Sequence, residues 1–232
     1  MALDILKVKN LNEETNNKLF EKLHEHLLRP PFLLVINGNV RTGKSNLIMN
    51  LLYNDNFYKD YFDQIFFVSP TVENDDTLKV LREDDDVTKI SHGLDKIDTI
   101  VETIVEHKME DDEQKGKHWL IILDDCLGLI KTAGYVTFFA TRYRQRKVSM
   151  IISSQNFRSI PNIIRQNASA YLIFRTNNKK EYNKLEEEFE GLFPDFEKLY
   201  LEATDKPYNF MYLDLRHIKA YHNFTTLLYS KS

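Results

Sequence analysis

The chain has 232 residues, of which 42% are hydrophobic and 28% charged, and its net charge is −4 at neutral pH. That length suits one large α/β domain with small additions, and the acidic balance argues against a surface coated for nucleic acid, though not against a local basic patch or a channel. The single cysteine, Cys126, excludes an intramolecular disulfide and a multi-cysteine zinc site; with no signal-like or membrane-length apolar run, we expect a soluble intracellular protein.

The first 30 residues are predicted to contain an amphipathic helix. Apolar side chains recur there at helical spacing, and Pro30-Pro31 then ends the pattern. The apolar positions are Leu19, Phe20, Leu23, Leu27 and Leu28. We expect this helix to pack on the domain that follows or on a neighbouring subunit.

Residues 38–45 carry a complete G-x-x-x-x-G-K-[ST] phosphate-binding pattern. Its members are Gly38, Asn39, Val40, Arg41, Thr42, Gly43, Lys44 and Ser45. The apolar run at residues 32–36 predicts a buried strand before the pattern, and apolar residues at helical spacing from Leu47 to Leu52 predict a helix after it. In that context the backbone N–H groups cradle nucleotide phosphates, Lys44 reaches the β- and γ-phosphates, and Ser45 is a ligand for Mg²⁺.

Further strands and helices are predicted to alternate downstream. We predict strands at residues 65–68, 119–123, 148–152, 171–174 and 208–213, and helices over residues 97–105, from Tyr135 towards Arg146, around Leu185 and Phe189, and after Pro194. This alternation predicts an α/β fold with a parallel, doubly wound sheet. Acidic clusters at residues 75–76, 84–86 and 110–113 are interpreted as solvated loops rather than as a metal site, and residues 217–232 show no clear element.

Acidic and amide side chains follow two of the predicted strands. The strand at residues 119–123 ends in Asp124-Asp125, and the strand at residues 148–152 is followed by Gln155. The carboxyl ends of parallel strands meet at the ligand crevice, so Asp124 is predicted to hold Mg²⁺ opposite Ser45, and Asp125 to orient or deprotonate a water that attacks the γ-phosphate. The Gln155 amide can contact the γ-phosphate or that water; alternatively, it caps backbone groups of a loop.

Basic residues cluster just before the strand at residues 148–152. They are Arg142, Arg144, Arg146 and Lys147. An arginine can stabilise charge on a transferring phosphoryl group, bind DNA phosphates, or stabilise a helix end. We expect one of the four to be catalytic, with Arg158, Arg165 and Arg175 as the other candidates.

Together these motifs resemble a known family. The phosphate loop, the strand ending Asp124-Asp125 and the strand ending Ser153-Ser154-Gln155 occur in the order and compact spacing of the genome-packaging ATPases of large double-stranded DNA viruses and of icosahedral viruses with internal membranes, a branch of the FtsK/HerA superfamily. Residues 144–149 look like that family's Arg-His-x-x-Ile-Ser segment, and residues 160–168 like the segment after its glutamine. Two positions depart from the pattern: Asp125 stands where many motors of the superfamily have Glu, and Gln145 stands at the expected His.

The resemblance implies a P-loop NTPase fold of the ASCE type and an ATPase that needs Mg²⁺. It places the core at residues 31–176, between the N-terminal helical segment of residues 1–30 and a C-terminal part, residues 177–232, of helices and a strand packed on the core. It implies a homo-oligomeric ring that binds double-stranded DNA without sequence preference, with nucleotide between subunits. Arg144 becomes the candidate arginine finger by motif position, and Arg165 is its rival.

The resemblance also implies where the protein works and with what. A viral capsid or membrane protein at a packaging vertex is the expected partner, and the host cytoplasm, a virus factory or the virion is the expected location. Other tasks remain open: another P-loop DNA translocase or helicase, a small-molecule kinase, or a module that only binds nucleotide. A GTPase is disfavoured because residues 178–181, Asn-Lys-Lys-Glu, lack the Asn-Lys-x-Asp pattern for guanine.

Overall fold

The computed structural model describes residues 25–231 of the chain. Within that range, nine strands form one sheet in the order β3-β2-β4-β5-β1-β6-β7-β8-β9. The strands are β1 Leu33–Asn37, β2 Gln64–Val68, β3 Val87–Ile90, β4 Trp119–Asp124, β5 Val148–Ser154, β6 Ala170–Phe174, β7 Phe210–Asp214, β8 Lys219–His222 and β9 Thr226–Ser230. The six strands from β3 to β6 are parallel, and β7, β8 and β9 continue the sheet as antiparallel neighbours.

Helices cover both faces of this sheet. They are α1 Lys44–Tyr53, α2 Lys79–Glu83, α3 Ile97–Glu110, α4 Asp112–Lys115, α5 Tyr135–Phe139, α6 Asn162–Asn167, α7 Lys179–Phe189 and α8 Phe196–Ala203. One apolar layer joins the sheet to α3, α5, α7 and α8, and the other joins it to α1 and α2. Among these helices, none combines the length and the apolar character needed to cross a bilayer.

The central strands have the buried, largely apolar character that is typical of a parallel sheet. Every residue of β1, β4 and β5 is buried, because each strand carries apolar or small side chains on both faces. β1 lies between β5 and β6, and its last residue, Asn37, is paired with Ser154 of β5. The carboxyl ends of β1, β4 and β5 therefore meet at one edge of the sheet. The predicted α/β fold with a mostly parallel sheet is confirmed.

The predicted helix from Tyr135 towards Arg146 is wrong in length. The helix α5 ends at Phe139, and residues 140–147 form successive turns. The N–H groups of Thr141 and Arg142 donate to carbonyls three residues back, and the Thr141 hydroxyl also donates to the Phe138 carbonyl at 2.8 Å. These local bonds replace the i to i−4 bonds that would extend the helix.

Three strands are missing from the sequence analysis. β3 lies directly after the acidic run at residues 84–86, and β8 and β9 lie in the tail that showed no clear element. The single strand predicted in residues 177–232 is therefore one of three, and it begins at Phe210 rather than at Tyr208. Its alternation is as predicted: Phe210 and Tyr212 face one apolar layer, while Met211 and Leu213 face the other.

The predicted N-terminal helix falls mostly outside the described residues. Of its apolar positions, only Leu27 and Leu28 are described; they lie in a turn and an irregular segment, and both are buried. Two tyrosine hydroxyls bind this segment, since Tyr58 donates to the Leu28 carbonyl at 2.7 Å and Tyr212 donates to the His26 carbonyl at 2.8 Å. This stretch therefore packs on the same chain.

A buried lysine at the end of α3 makes folding sensitive to alkaline pH. The Lys108 ammonium donates to the Gln114 carbonyl at 2.6 Å and to the Lys115 carbonyl at 3.3 Å, and it lies 5.6 Å from the centre of the Trp119 ring. Burial, reinforced by the positive charge of Lys147, lowers the pKa of Lys108 to about 8. The unfolded chain then holds more protons than the folded chain between that pH and the ordinary lysine pKa of about 10.4.

We expect the free energy of unfolding of the natural protein, relative to a Lys108→Met variant, to rise between about pH 8 and about pH 10. Below that range Lys108 is charged in both states and contributes no slope. Denaturant titrations of both proteins at several pH values measure the difference. The exposed neighbour in Lys115→Met is the control; a difference that stays constant with pH would contradict the assignment.

Candidate active site

The phosphate-binding pattern forms a tight loop between β1 and α1. The Gly38 N–H donates to the Ser154 carbonyl at 3.0 Å, and α1 begins at Lys44 after Gly43, which has a φ of 102°. A Cβ atom on Gly38 would lie 2.6 Å from Oγ1 of Thr42 and 2.8 Å from Cβ of Phe174. Both glycines are therefore needed, one for a close approach and one for a left-handed backbone.

Lys44 lies across the loop that it belongs to. Its ammonium donates to the carbonyls of Gly38 at 2.8 Å and of Asn39 at 3.1 Å, and its side chain is buried. Burial lowers the pKa of Lys44, while the charges of Asp125 and Asp124 oppose that shift. The lysine is thus held at the loop and is electrostatically coupled to both carboxylates.

Asp124 is the last residue of β4 and is almost fully buried. Burial raises the pKa of this carboxyl to about 6, and the Ser153 hydroxyl and the Lys44 charge work in the opposite direction. The Ser69 hydroxyl, at the end of β2, donates to Oδ2 of Asp124 at 3.5 Å. An isolated buried carboxylate is costly, so this position calls for a cation beside it.

Asp125 turns away from the strand and meets Gln155. Its φ is 50°, a left-handed backbone that aspartate adopts more readily than most residues other than glycine. The Gln155 amide donates to Oδ2 of Asp125 at 2.8 Å, and both side chains line a cavity of about 180 Å³ together with Gly128 and Ser159. The sequence predicts that these two residues lie at one edge of the sheet, and in the structure their side chains are joined by this hydrogen bond.

The donor set at this edge fits Mg²⁺. Ser45 follows Lys44 in α1, and Asp124 ends β4, so a hydroxyl oxygen and a carboxylate oxygen flank the loop. Mg²⁺ is usually bound by one or two such protein oxygens together with substrate phosphates and water. Across residues 25–231, no three His, Cys, Asp or Glu side chains converge as a metal cluster.

Arg144 does not reach this site within the same chain. It is exposed and precedes β5, whereas the phosphate loop lies beyond the end of that strand. A strand of seven residues separates the two edges by about 20 Å. The Arg144 guanidinium donates through Nε to the Tyr143 hydroxyl at 3.0 Å and is otherwise turned to the surface.

The rival arginines differ in their surroundings. Arg165 forms an ion pair with Glu188 at 3.0 Å, and its guanidinium lies 5.4 Å from the centre of the Phe157 ring. Arg175 lies at the carboxyl end of β6, where Nη1 donates to the Thr204 carbonyl at 3.3 Å. Arg158 is exposed in the turn after β5. Of these, Arg165 contacts both a carboxylate, on Glu188, and an aromatic ring, on Phe157, and these two contacts suit a structural role.

Two features of the site escaped the sequence analysis. Cys126 is buried behind the two acids, where its thiol donates to the carbonyls of Val68 at 3.3 Å and Asp124 at 3.2 Å. Tyr208, predicted to begin a strand, instead lies outside it with its ring against Gly43. The only sequence signal for Cys126 is its position after Asp125, and Tyr208 has none, because its contact joins distant segments.

Comparison with known proteins finds viral proteins that are similar in sequence or in fold. An uncharacterized protein, 075L, of Invertebrate iridescent virus 6 is 26% identical over 192 residues, which cover 78% of this chain and 69% of that protein. The genome packaging NTPase B204 of Sulfolobus turreted icosahedral virus 2 matches in its AMP complex with a TM-score of 0.63 and 15% identity, over 88% of this chain and all of that chain. Its ATPγS complex matches with a TM-score of 0.61 and 14% identity, over 83% of this chain and 96% of that chain.

A bacterial protein shares the fold as well. EccC of Thermomonospora curvata, in a structure of its ATPases 2 and 3, matches with a TM-score of 0.54 and 14% identity, over 80% of this chain and 35% of that chain. At these identities the solved structures establish the fold. The family model described as Poxvirus A32 protein matches residues 18–188, which is well over half of the sequence. The resemblance to viral packaging ATPases drawn from the motifs is thereby confirmed, and this chain belongs to the Poxvirus A32 protein family.

Proposed function

We propose that this chain is an ATP-hydrolysing motor that translocates double-stranded DNA into a viral capsid. The observation that carries the proposal is the meeting of the phosphate loop, Asp124, Asp125 and Gln155 at one edge of the sheet. Membership in the Poxvirus A32 protein family and the likeness to B204, which is described as a genome packaging NTPase, support the task.

Each group has a distinct part in hydrolysis. The loop N–H groups and Lys44 bind the ATP phosphates and neutralise charge that develops on them. Ser45 and Asp124 would hold Mg²⁺, which when bound supplies further charge neutralisation on the phosphate oxygens. Asp125 orients the attacking water and takes its proton as the new oxygen–phosphorus bond forms and the bond to the ADP oxygen breaks. The proposed part of Gln155 is to sense whether the γ-phosphate is present, and its hydrogen bond to Asp125 supports that role.

In a ring, a neighbouring subunit can supply the arginine that the nucleotide site of one chain lacks. Arg144 is exposed at the edge opposite the phosphate loop, so it cannot complete its own site but is available to a neighbour. We propose that nucleotide binds between subunits, with Arg144 of one subunit acting on the site of the next. Arg142 and Arg146 are exposed beside Arg144, and such arginines bind DNA phosphates without sequence preference. The capsid or membrane protein at a packaging vertex, and action in the host cytoplasm, virus factory or virion, belong to the same proposal.

The competing functions are separated by chemistry. Asn178, the start of the sequence compared with a guanine motif, instead caps α7: its side chain accepts from the N–H groups of Lys180 at 3.0 Å and Glu181 at 3.4 Å. That engagement argues against a GTPase. A small-molecule kinase binds a substrate hydroxyl beside the γ-phosphate, whereas the hydrogen bond between Gln155 and Asp125 favours an oriented water there.

ATP hydrolysis by purified protein, with and without long double-stranded DNA at low and moderate salt, tests the proposed function. We expect strong stimulation that fades as salt rises, because each phosphate contact releases a counterion. Hydrolysis that is indifferent to DNA would contradict the motor and direct attention to small phosphate acceptors.

An Arg144→Ala variant tests the role of the neighbour. We expect turnover to fall by about a thousandfold, in the range that arginine fingers supply, while ATP binding persists. When this variant is mixed with natural protein at increasing ratio, turnover should fall faster than the fraction of natural subunits. Lys198→Ala, at an exposed position on α8, is the control. Turnover that follows the fraction of natural subunits would count against action across the interface.

A further inference from the structure

A second cavity lies beside the phosphate loop, on the side away from Asp125 and Gln155. Its volume is about 790 Å³, and it is bounded by α1, by the turn after α1 and by the C-terminal strands. The hydrolysis proposed above uses none of it. The residues that carry the argument are Gly43, Asn46, Phe57, Phe174, Tyr208 and Phe224.

Tyr208 is the unusual member of this wall. The residue is 71% exposed, and its φ is 69°, a left-handed backbone that is costly for a bulky residue. Its ring nevertheless lies against the loop, since a Cβ atom on Gly43 would be 3.2 Å from Cδ1 of Tyr208. An exposed ring held in a strained conformation against a phosphate loop points to a ligand that uses its face.

The segment that holds Tyr208 is fixed by hydrogen bonds. The Asn209 N–H donates to the Lys206 carbonyl at 3.2 Å, and the Asn209 amide donates to Asp205 at 2.8 Å. The Asn223 side chain donates to Asn209 at 3.2 Å and accepts from the Phe210 N–H at 3.1 Å. Tyr208 is therefore presented by a braced turn.

The remaining wall is a chain of aromatic rings. Ring centres lie 5.5 Å apart for Phe174 and Phe210, 5.1 Å for Phe210 and Phe224, and 5.4 Å for Phe57 and Phe224. These contacts join the end of β6, the start of β7, the turn between β8 and β9, and the turn after α1. The cavity is thus largely formed before any ligand enters, as small-molecule sites usually are.

The orientation of a bound nucleotide follows from the sheet order. The γ-phosphate has to face Asp125 and Gln155, which lie at the ends of β4 and β5, on one side of β1. The nucleoside must then leave the loop towards β6 and β7, on the other side of β1, where the cavity opens at Gly43 and Asn46.

We propose that this cavity binds the nucleobase of the nucleotide held by the phosphate loop, with a purine stacked on Tyr208. This inference rests on the proposed function, because it needs the triphosphate in the loop. Besides the Tyr208 hydroxyl, the polar groups of the wall are asparagine amides and Thr225, and none of these side chains is charged. An amide presents either a donor or an acceptor, so the wall selects purines over pyrimidines by stacking area and discriminates little between adenine and guanine.

Equilibrium binding of ATP and of inorganic tripolyphosphate, each with Mg²⁺, tests the proposal. The proteins are the natural chain, Tyr208→Ala and Tyr208→Phe, all checked for the same thermal midpoint. Tyr208→Ala should weaken ATP binding by about 10- to 100-fold, the range of base stacking, and leave tripolyphosphate binding unchanged. Tyr208→Phe keeps the ring and should bind ATP like the natural chain. GTP should follow ATP, and CTP and UTP should bind more weakly.

The possible failures are distinguishable. If the natural chain binds neither ATP nor tripolyphosphate, the phosphate loop itself is misassigned and the proposed function falls. If it binds tripolyphosphate as tightly as ATP, or if Tyr208→Ala binds ATP normally, the nucleobase site is overturned alone. Asn177→Ala is the matched control, because Asn177 lines a smaller cavity on the other side of Tyr208. A loss of ATP binding in Asn177→Ala equal to that in Tyr208→Ala would place the base there and overturn the proposal.

Discussion

An Asp125→Asn variant is expected to bind ATP almost normally and to hydrolyse it about 100- to 10,000-fold more slowly, which is the range that a general base contributes. The amide removes the basic oxygen yet keeps the size of the side chain and an oxygen that accepts the Gln155 hydrogen bond, which measures 2.8 Å. Asp124 is untouched, so metal and nucleotide binding should persist. Single-turnover hydrolysis and the dissociation constant for ATP, measured on the same preparation, separate the two effects.

The control for this variant is Asp125→Glu. Many motors of the superfamily carry Glu at this position, so this variant keeps a carboxylate and should retain much of the natural turnover. Normal turnover in Asp125→Asn would move the base elsewhere. Asp124 would then be the first alternative, although its burial suits a metal ligand better.

Lys44→Ala is expected to have the second large effect, a loss of ATP turnover of about 100-fold or more together with weaker ATP binding. The ammonium at this position contacts the loop carbonyls of Gly38 and Asn39. In phosphate loops of this pattern, the lysine is the side chain that binds the β- and γ-phosphates. Truncation removes that charge, which interacts with both Asp125 and Asp124. Turnover and ATP binding are both measured, because the predicted loss affects each.

Stability has to be separated from chemistry in this variant. The Lys44 side chain is buried, and its removal takes a donor from the Gly38 carbonyl, whereas the Asn39 carbonyl keeps the Thr42 hydroxyl at 2.8 Å. A thermal melt of the variant reports the cost of that lost hydrogen bond. Lys180→Ala, an exposed lysine at the start of α7, is the control. A folded Lys44→Ala protein with full activity would refute the assignment of the phosphate loop.

The parts of the site that could be predicted from the sequence are those encoded over a few neighbouring residues. The loop at residues 38–45 needs two glycines and a lysine at fixed spacing, and the apolar strands on either side give its context. Asp124 and Asp125 follow a continuous apolar strand, and Gln155 follows another. Parallel pairing then brings these strand ends together by a general rule of sheet geometry.

The parts that escaped prediction depend on contacts between distant segments. Tyr208 alternates with Phe210 and Tyr212 as a strand residue would, yet the turn braced by Asn209 and Asn223 lifts it out of β7 and onto Gly43. β8 and β9 are short antiparallel strands of mixed polarity, β8 between β7 and β9 and β9 at the edge of the sheet. Their pairing partners rather than their composition define them. The helix α5 stops early because hydroxyl and i to i−3 bonds compete with it, which apolar spacing cannot reveal.

Displacement of a third DNA strand from a double-stranded track by the purified protein tests translocation most directly. We predict displacement with ATP and Mg²⁺ that stops with ATPγS and with the Asp125→Asn variant, while the two strands of the duplex stay paired. Hydrolysis without displacement, or separation of the duplex strands themselves, would contradict translocation of double-stranded DNA as the work of this chain.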